Sequence, residues 1–138
     1  MKNLFSILII TLLSITAFGQ EKVSAFELSG AEFKFDVETY DFGDLFEGSK
    51  VSHEFNFTNV GDQELNVYKV QSDCDCIEVE WTKDPINPEG AGTIKVTFDS
   101  TEKIGAFYKS IEILSDAKAT TKIIRIKGNI KEDFFKDK

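Results

Sequence analysis

The sequence is poor in the residues that metal centres and many active sites require. Its 138 residues include two cysteines, two prolines, one histidine, one tryptophan and one methionine. Two cysteines and one histidine fall short of the four ligands of a closed cysteine–histidine zinc site. The chain also lacks a Gly-x-Ser-x-Gly segment, a phosphate-binding glycine loop and a His-Glu-x-x-His segment. We therefore expect no enzymatic activity, no catalytic residue and no cofactor.

Basic residues are scarce relative to acidic ones. The chain has 16 lysines and arginines against 24 aspartates and glutamates, which gives a net charge of −8 at pH 7. A surface of this sign repels nucleic acids and anionic membranes. The composition therefore predicts that neither is a partner.

The only long apolar run lies at the N-terminus. Lys2 precedes a stretch at residues 4–18 that is almost free of polar side chains, and Ala17 and Gly19 provide the small residues that signal peptidase prefers. The run is shorter than the roughly 20 residues of a membrane span. We predict a cleaved signal peptide over residues 1–19, no membrane span after its removal, and export to the periplasm or the extracellular space.

The rest of the chain is rich in phenylalanine and in two-residue alternation. Phenylalanine accounts for 13 residues, and aromatic residues favour strands. Apolar and polar residues alternate over residues 51–58, 77–82 and 94–99, whereas no helical period follows the N-terminal run. About seven such short segments are separated by turn residues. This pattern predicts an all-β, immunoglobulin-like β-sandwich of about seven strands.

Composition shifts suggest the boundaries of this domain. Residues 20–31 are polar and without a period, which predicts a flexible N-terminal lead, and residues 131–138 form a charged C-terminal tail. The sandwich is expected to span residues 32–130. Residues 40–48 are predicted to form a loop, and residues 59–62 a turn in which Gly61 provides a positive φ.

Cys74 and Cys76 are the only cysteines, and three interpretations of the pair remain open. In an extended chain, side chains two residues apart point to the same face. An oxidising compartment favours a disulfide, although so short a loop constrains the unfolded chain by only about 1.6 kcal/mol. Two thiolates on one face would instead suit a soft metal such as Cu(I), and buried thiols would serve packing alone.

Charged and titratable residues near these segments are expected to be structural. The acidic residues Asp73, Asp75, Glu78 and Glu80 disfavour a reactive thiolate at the cysteines, and they lack the calcium-binding loop pattern. His53, the sole histidine, lies on the apolar face of residues 51–57. We expect it to be partly buried and hydrogen-bonded, and not to act as a catalytic base or a metal ligand.

Several segments together resemble a known family. They are residues 40–48, 51–62, 74–76, 85–88, 94–98, 105–107 and 126–130. In order and spacing they resemble the domain of unknown function 1573 of exported bacterial proteins, over about residues 33–130. More distantly they are similar to immunoglobulin-like domains of the major sperm protein and Hydin type. The resemblance implies an immunoglobulin-like fold that serves as a scaffold or a protein-binding module. The family pattern at the cysteines is Ser-Cys-Gly-Cys-Thr, and Asp75 replaces its glycine here.

These observations predict an exported, non-enzymatic β-sandwich that binds another protein or an envelope component. An exposed sheet edge or the segments at residues 40–48 and 73–76 are the candidate binding surfaces. The alternative is a soft-metal (copper) binding or redox protein that uses the Cys74 and Cys76 pair.

Overall fold

The computed structural model describes residues 30–133. Where apolar and polar residues alternate in the sequence, buried and exposed side chains alternate along a strand of the structure. The segment around residues 94–98 is the clearest case, because the side chains of Ile94, Val96 and Phe98 are fully buried while the residues between them are partly exposed. A strand with one apolar face must bury that face against a second layer. The described residues therefore form two stacked sheets.

Eight strands make up these two sheets, one more than the predicted number of about seven. They are β1 (Phe33–Phe35), β2 (Thr39–Phe46), β3 (Lys50–Asn59), β4 (Val67–Ser72), β5 (Ile77–Trp81), β6 (Ala91–Asp99), β7 (Gly105–Ser115) and β8 (Thr121–Lys131). The first sheet has the order β1-β3-β6-β5 and the second the order β2-β8-β7-β4. The predicted all-β sandwich is confirmed.

The additional strand is β2, and the prediction of a loop at residues 40–48 was wrong. The chain leaves the first sheet after β1 and enters the second sheet as β2, which pairs in parallel with β8. The pairing register shifts between Asp41 and Asp44, and Gly43 has a φ of 69° at this point. A bulge of this kind adds one residue to a strand and so breaks its two-residue period. The bulge keeps Tyr40, Phe42 and Leu45 all packed against the core.

The core lies between the sheets and is built from their inward-facing aliphatic and aromatic side chains. Phe98 of the first sheet stacks on Phe107 of the second, with ring centroids 4.4 Å apart. Leu65 forms an isolated bridge with Ile86 before β4 starts at Val67. Within the described range, no helix is long and apolar enough to cross a membrane.

The ends of the domain lie close to the predicted boundaries. Ala31, assigned to the lead, is buried in the core, and Lys131, assigned to the tail, is the last residue of β8. The sandwich thus extends one residue beyond each predicted boundary. The predicted signal peptide, residues 20–29 of the lead and residues 134–138 of the tail lie outside the described residues.

The turn after β3 is held together by the side chain of Asn59, which is fully buried. Its Oδ1 accepts hydrogen bonds from the backbone N–H groups of Glu32 (3.2 Å) and Gly61 (3.0 Å). Its Nδ2 donates to the carbonyl oxygens of Gln63 (2.7 Å) and Ile86 (2.9 Å). The prediction of a positive φ at Gly61 was wrong. Glycine is required there for space, because a Cβ would lie 2.7 Å from Ala31 Cα.

Candidate functional site

Strand β4 ends the second sheet, and its outer side has no strand partner among residues 30–133. We call this unpaired side of Val67–Ser72 the β4 edge. Register between β4 and β7 shifts between Val67 and Lys69 and is regular from Lys69 to Ser72. Backbone groups on an unpaired side are available to a strand from another chain. The β4 edge therefore provides a short template for an added strand.

Five of the six side chains of the β4 edge are uncharged, and the exception is the exposed Lys69. Tyr68 is 66% exposed, the highest value among the large hydrophobic side chains of the described residues. At the start of the strand, the indole Nε1 of Trp81 donates to the carbonyl oxygen of Val67 at 3.4 Å. That contact links the edges of the two sheets and leaves the ring of Tyr68 open to solvent.

A groove of about 390 Å³ lies beside the end of β4 on the outer face of the second sheet. Gln71 donates from Nε2 to Glu112 Oε2 at 3.1 Å, and Ser72 donates from Oγ to the carbonyl oxygen of Ser110 at 3.2 Å. Ile123, which is 38% exposed, provides apolar surface. The lining residues are Gln71, Ser72, Asp73, Ser110, Glu112 and Ile123.

The two cysteines lie in the turn that connects β4 with β5. The backbone N–H of Ile77 donates to the carbonyl oxygen of Cys74 at 3.2 Å, and that of Cys74 donates to Ser72 Oγ at 3.3 Å. The extended geometry assumed for this segment was therefore wrong. The two Sγ atoms lie at disulfide distance and the Cα atoms 5.1 Å apart, a separation typical of disulfides. Asp75 replaces the family glycine without a positive φ.

Of the four acidic residues near the cysteines in sequence, Asp75 and Glu78 line one hollow together with Cys76, whereas Asp73 and Glu80 do not. Glu78 and Glu80 lie on the outer face of the first sheet, where they form ion pairs with Lys50 (3.3 Å) and Lys95 (3.8 Å). Asp73 lines the groove beside β4, whereas Asp75 lines a different hollow. Within residues 30–133, no group of three or more cysteine, histidine or acidic side chains is arranged to hold a metal ion.

His53 lies between the sheets at the edge formed by β2 and β3. Its ring stacks on Tyr40 with centroids 3.6 Å apart and contacts Phe55 edge-on at 4.7 Å. The predicted partial burial is confirmed, and the ring packs against aromatic side chains. Partial burial lowers the pKa of His53 below 6.5, and the negative charge of Glu54 acts in the opposite direction. His53 therefore serves to pack the edge of the core.

Protonation of His53 is expected to destabilise the fold at mildly acidic pH. Because its pKa is lower in the folded chain than the unfolded value of 6.5, the unfolded chain binds more protons, and stability falls as the pH drops below 6.5. The aspartates with lowered pKa, Asp44 and Asp99, titrate below 3.8 and do not act in this range. The His53→Gln variant should lose less thermal stability than the wild type between neutral pH and about pH 5. Equal losses in both proteins would contradict this assignment.

Residues 73–76 were singled out from the sequence as a candidate binding surface, but the surface beside them was missed. Tyr68 and Ile123 were not singled out, because single apolar residues on a strand do not reveal which face they occupy. One signal was available for Ile123, since Ile123 and Ile124 are adjacent and only one of two neighbouring strand residues faces the core. Ile124 is fully buried, which leaves Ile123 on the outer face.

One known protein family matches most of the sandwich. The family model described as "Protein of unknown function (DUF1573)" matches residues 33–130. The chain belongs to this family. The matched range contains the whole of β1, the β4 edge and the cysteine turn, and it ends one residue before the end of β8. No curated protein matches the chain at the level of sequence.

Solved structures similar to this DUF1573 domain share its fold at low sequence identity. A protein of unknown function from Porphyromonas gingivalis W83 has a TM-score of 0.62 at 17% identity, covering 72% of this chain and 46% of that one. The seventh PapD-like domain of human CEP192 has a TM-score of 0.60 at 9% identity, covering 75% and 88%. The protease VesB of Vibrio cholerae has a TM-score of 0.58 at 16% identity, covering 72% and 31%. The DUF1573 chain thus spans less than half of the Porphyromonas protein, and the immunoglobulin-like fold is confirmed.

Proposed function

We propose that this domain is an exported, non-enzymatic module that binds an extended segment of another protein at the β4 edge. The observation that carries the proposal is the unpaired side of β4 next to the exposed ring of Tyr68. In such binding, main-chain hydrogen bonds to the added strand provide affinity, and pockets for alternate side chains provide specificity. The groove that begins at Gln71 and Ser72 lies where one of those side chains would project.

The other sheet edges are less suited to accepting a strand. The outer face of β5 carries Glu78 and Glu80, and charges on an edge strand discourage pairing with another chain. Strand β1 has only three residues. Strand β2 is interrupted by the bulge at Gly43. Among the edge strands, β4 combines a regular stretch of backbone at Lys69–Ser72 with an exposed aromatic side chain, Tyr68, at the register shift that precedes it.

Export is supported by the N-terminal sequence. The apolar run at residues 4–18 and the small residues before Gln20 have the pattern of a cleaved signal peptide. An acidic surface would keep the exported domain away from nucleic acids and anionic lipids by repulsion. The partner is accordingly expected to be another protein or an envelope component outside the cytoplasm.

Selection of peptides from a displayed random library, with the chain as bait, tests the proposal. We expect binding peptides whose affinity falls about tenfold in the Tyr68→Ala variant, because exposed aromatic side chains at binding surfaces contribute strongly to affinity. The matched control is Tyr108→Ala, which removes an equally exposed tyrosine from β7 of the same sheet. A library that yields no binder, or binders that respond equally to both substitutions, would overturn the proposal.

A redox role for Cys74 and Cys76 is the second candidate function, and the Cα separation of 5.1 Å, which is typical of disulfides, favours it over copper binding. A disulfide that closes so short a loop gains little from constraining the unfolded chain and is therefore easily reduced. Alkylation followed by mass measurement, before and after exposure to a glutathione buffer, should find no free thiol at first and two after exposure. Two thiols from the start, with tight Cu(I) uptake that Cys76→Ser abolishes, would favour the metal-binding alternative.

A further inference from the structure

A second exposed tyrosine lies in different surroundings on the outer face of the second sheet. Tyr108 is 62% exposed and pairs across strands with Lys127, which in turn pairs with Asp41. The next row of the same face consists of Ala106, Asn129 and Asp44. Between the ring and the bulge of β2 lies a hollow of about 390 Å³, which we call the Tyr108 hollow.

The bulge at Gly43 brings two carboxylates to this hollow. In a regular strand, residues three apart such as Asp41 and Asp44 point to opposite faces. The register shift between them places both on the outer face, while Phe42 and Leu45 pack against the core. Ala106 and Gly43 have no long side chains, which leaves space between the carboxylates and the Tyr108 ring.

The polar side chains of the hollow are held in place by one another. Lys127 Nζ lies 3.5 Å from Asp41 Oδ2, and Asn129 Nδ2 donates to Asp44 Oδ1 at 3.3 Å. A hydrogen bond from Lys131, together with the one from Asn129, lowers the pKa of Asp44. Each carboxylate oxygen has a further lone pair, and Lys127 has further N–H donors. The hollow thus presents hydrogen-bond donors and acceptors beside one flat apolar ring.

We propose that the Tyr108 hollow binds a saccharide. A pyranose ring has an apolar face of C–H groups, which would stack on the phenol of Tyr108, and a rim of hydroxyl groups, which both donate and accept hydrogen bonds. The volume accommodates a unit of that size, and small-ligand sites characteristically combine apolar surface with a few converging polar groups. Asp41, Asp44 and Asn129 would bind the hydroxyl groups, and the Tyr108 ring would select the face that stacks.

The surroundings of Tyr108 favour this ligand over a protein partner. Binding hot spots for proteins contain clustered apolar and aromatic side chains from which charged residues are depleted. The strand neighbours of Tyr108 on this face are Lys127, Ser110 and Arg125, together with the small Ala106. One aromatic ring among hydrogen-bonding side chains matches a ligand that is itself mostly hydroxylated. The site is separate from the β4 edge and does not depend on the proposed protein binding.

A glycan array carrying bacterial, plant and animal saccharides tests the proposal, with the chain applied at neutral pH. We expect one class of glycan to bind, and titration of that glycan to show a loss of affinity of about tenfold in Tyr108→Ala, which removes the stacking ring. Tyr108→Trp should retain binding because it keeps a stacking surface. Asp44→Asn should weaken binding by removing an ionised acceptor, while Tyr68→Ala should leave it unchanged.

Two results would overturn the saccharide proposal. The first is an array on which no glycan binds above the blank surface. The second is a bound glycan whose affinity is the same for the wild type, Tyr108→Ala and Asp44→Asn. All of these substitutions are at exposed or half-exposed positions, and circular dichroism of each variant checks that the sheets are intact. A glycan that responds to Tyr68→Ala instead would place saccharide binding at the β4 edge and would also contradict the proposal.

Discussion

The Asn59→Ala variant is expected to lose about 3–4 kcal/mol of unfolding free energy. The amide of Asn59 makes four hydrogen bonds to the backbone in a fully buried position, and they reach Glu32, Gly61, Gln63 and Ile86. Removing the amide takes one hydrogen bond from each of these four buried or partly buried backbone groups. The carbonyl oxygen of Ile86 keeps its bond from Leu65 N, and each group left without a partner costs about 1–3 kcal/mol. Denaturant unfolding followed by circular dichroism measures the difference.

Asn56→Ala is the matched control for this prediction. Asn56 lies on the same strand, but its side chain is exposed on the outer face. We expect a change within about 0.5 kcal/mol, as is usual for surface substitutions. If Asn59→Ala were no more destabilising than Asn56→Ala, the buried amide would not hold the turn in the way the structure indicates.

Gly61→Ala is expected to cost about 2–3 kcal/mol of unfolding free energy, although it adds only one methyl group. The new Cβ would lie 2.7 Å from both Ala31 Cα and Glu32 N, distances too short for unbonded atoms. Both neighbours belong to the backbone, so relief would require the segment before β1 to move away from the turn. That movement would stretch the hydrogen bond from Val60 N to Glu32 O, now 2.9 Å. The midpoint of denaturant unfolding should shift accordingly.

Gly30→Ala provides the control for the Gly61 prediction. Its added Cβ would be 3.1 Å from Lys118 Cγ, an atom of a long side chain that can move aside. We expect a change of about 0.5 kcal/mol or less. A Gly61→Ala protein as stable as Gly30→Ala would show that the turn does not pack closely against the segment before β1.

Strands with an unbroken two-residue period were predictable from the sequence, and β2 was not. Strands β3, β5 and β6 alternate without interruption, and the structure has them close to the expected positions. In β2 the inward-facing residues are Tyr40, Phe42 and Leu45, so the spacing changes from two to three at Gly43. Glycines and aspartates in this segment are typical of turns, and only pairing with β8 reveals the bulge.

The candidate surfaces could not be predicted from the sequence, because they depend on the order of the strands in the sheets and local patterns do not determine that order. Residues 73–76 were singled out by their cysteines, but the β4 edge follows only from the sheet order, in which β7 is the one strand that pairs with β4 among residues 30–133. The same holds for the Tyr108 hollow, whose carboxylates come from β2, more than 60 residues before Tyr108 in the sequence. Asn59 lies in the predicted turn and bonds locally to Gly61, whereas its bond to Ile86 links segments 27 residues apart and follows only from the fold.

Amide hydrogen exchange of the chain with and without a peptide selected from the library tests the binding module most directly. The account predicts that amides within Val67–Ser72 that exchange rapidly in the free chain become slow when the peptide is bound, while those of Ile77–Trp81 keep their rates. If bound peptide slowed amide exchange only in β5 or β2 while the amides of β4 still exchanged rapidly, the proposed binding at the β4 edge would be contradicted.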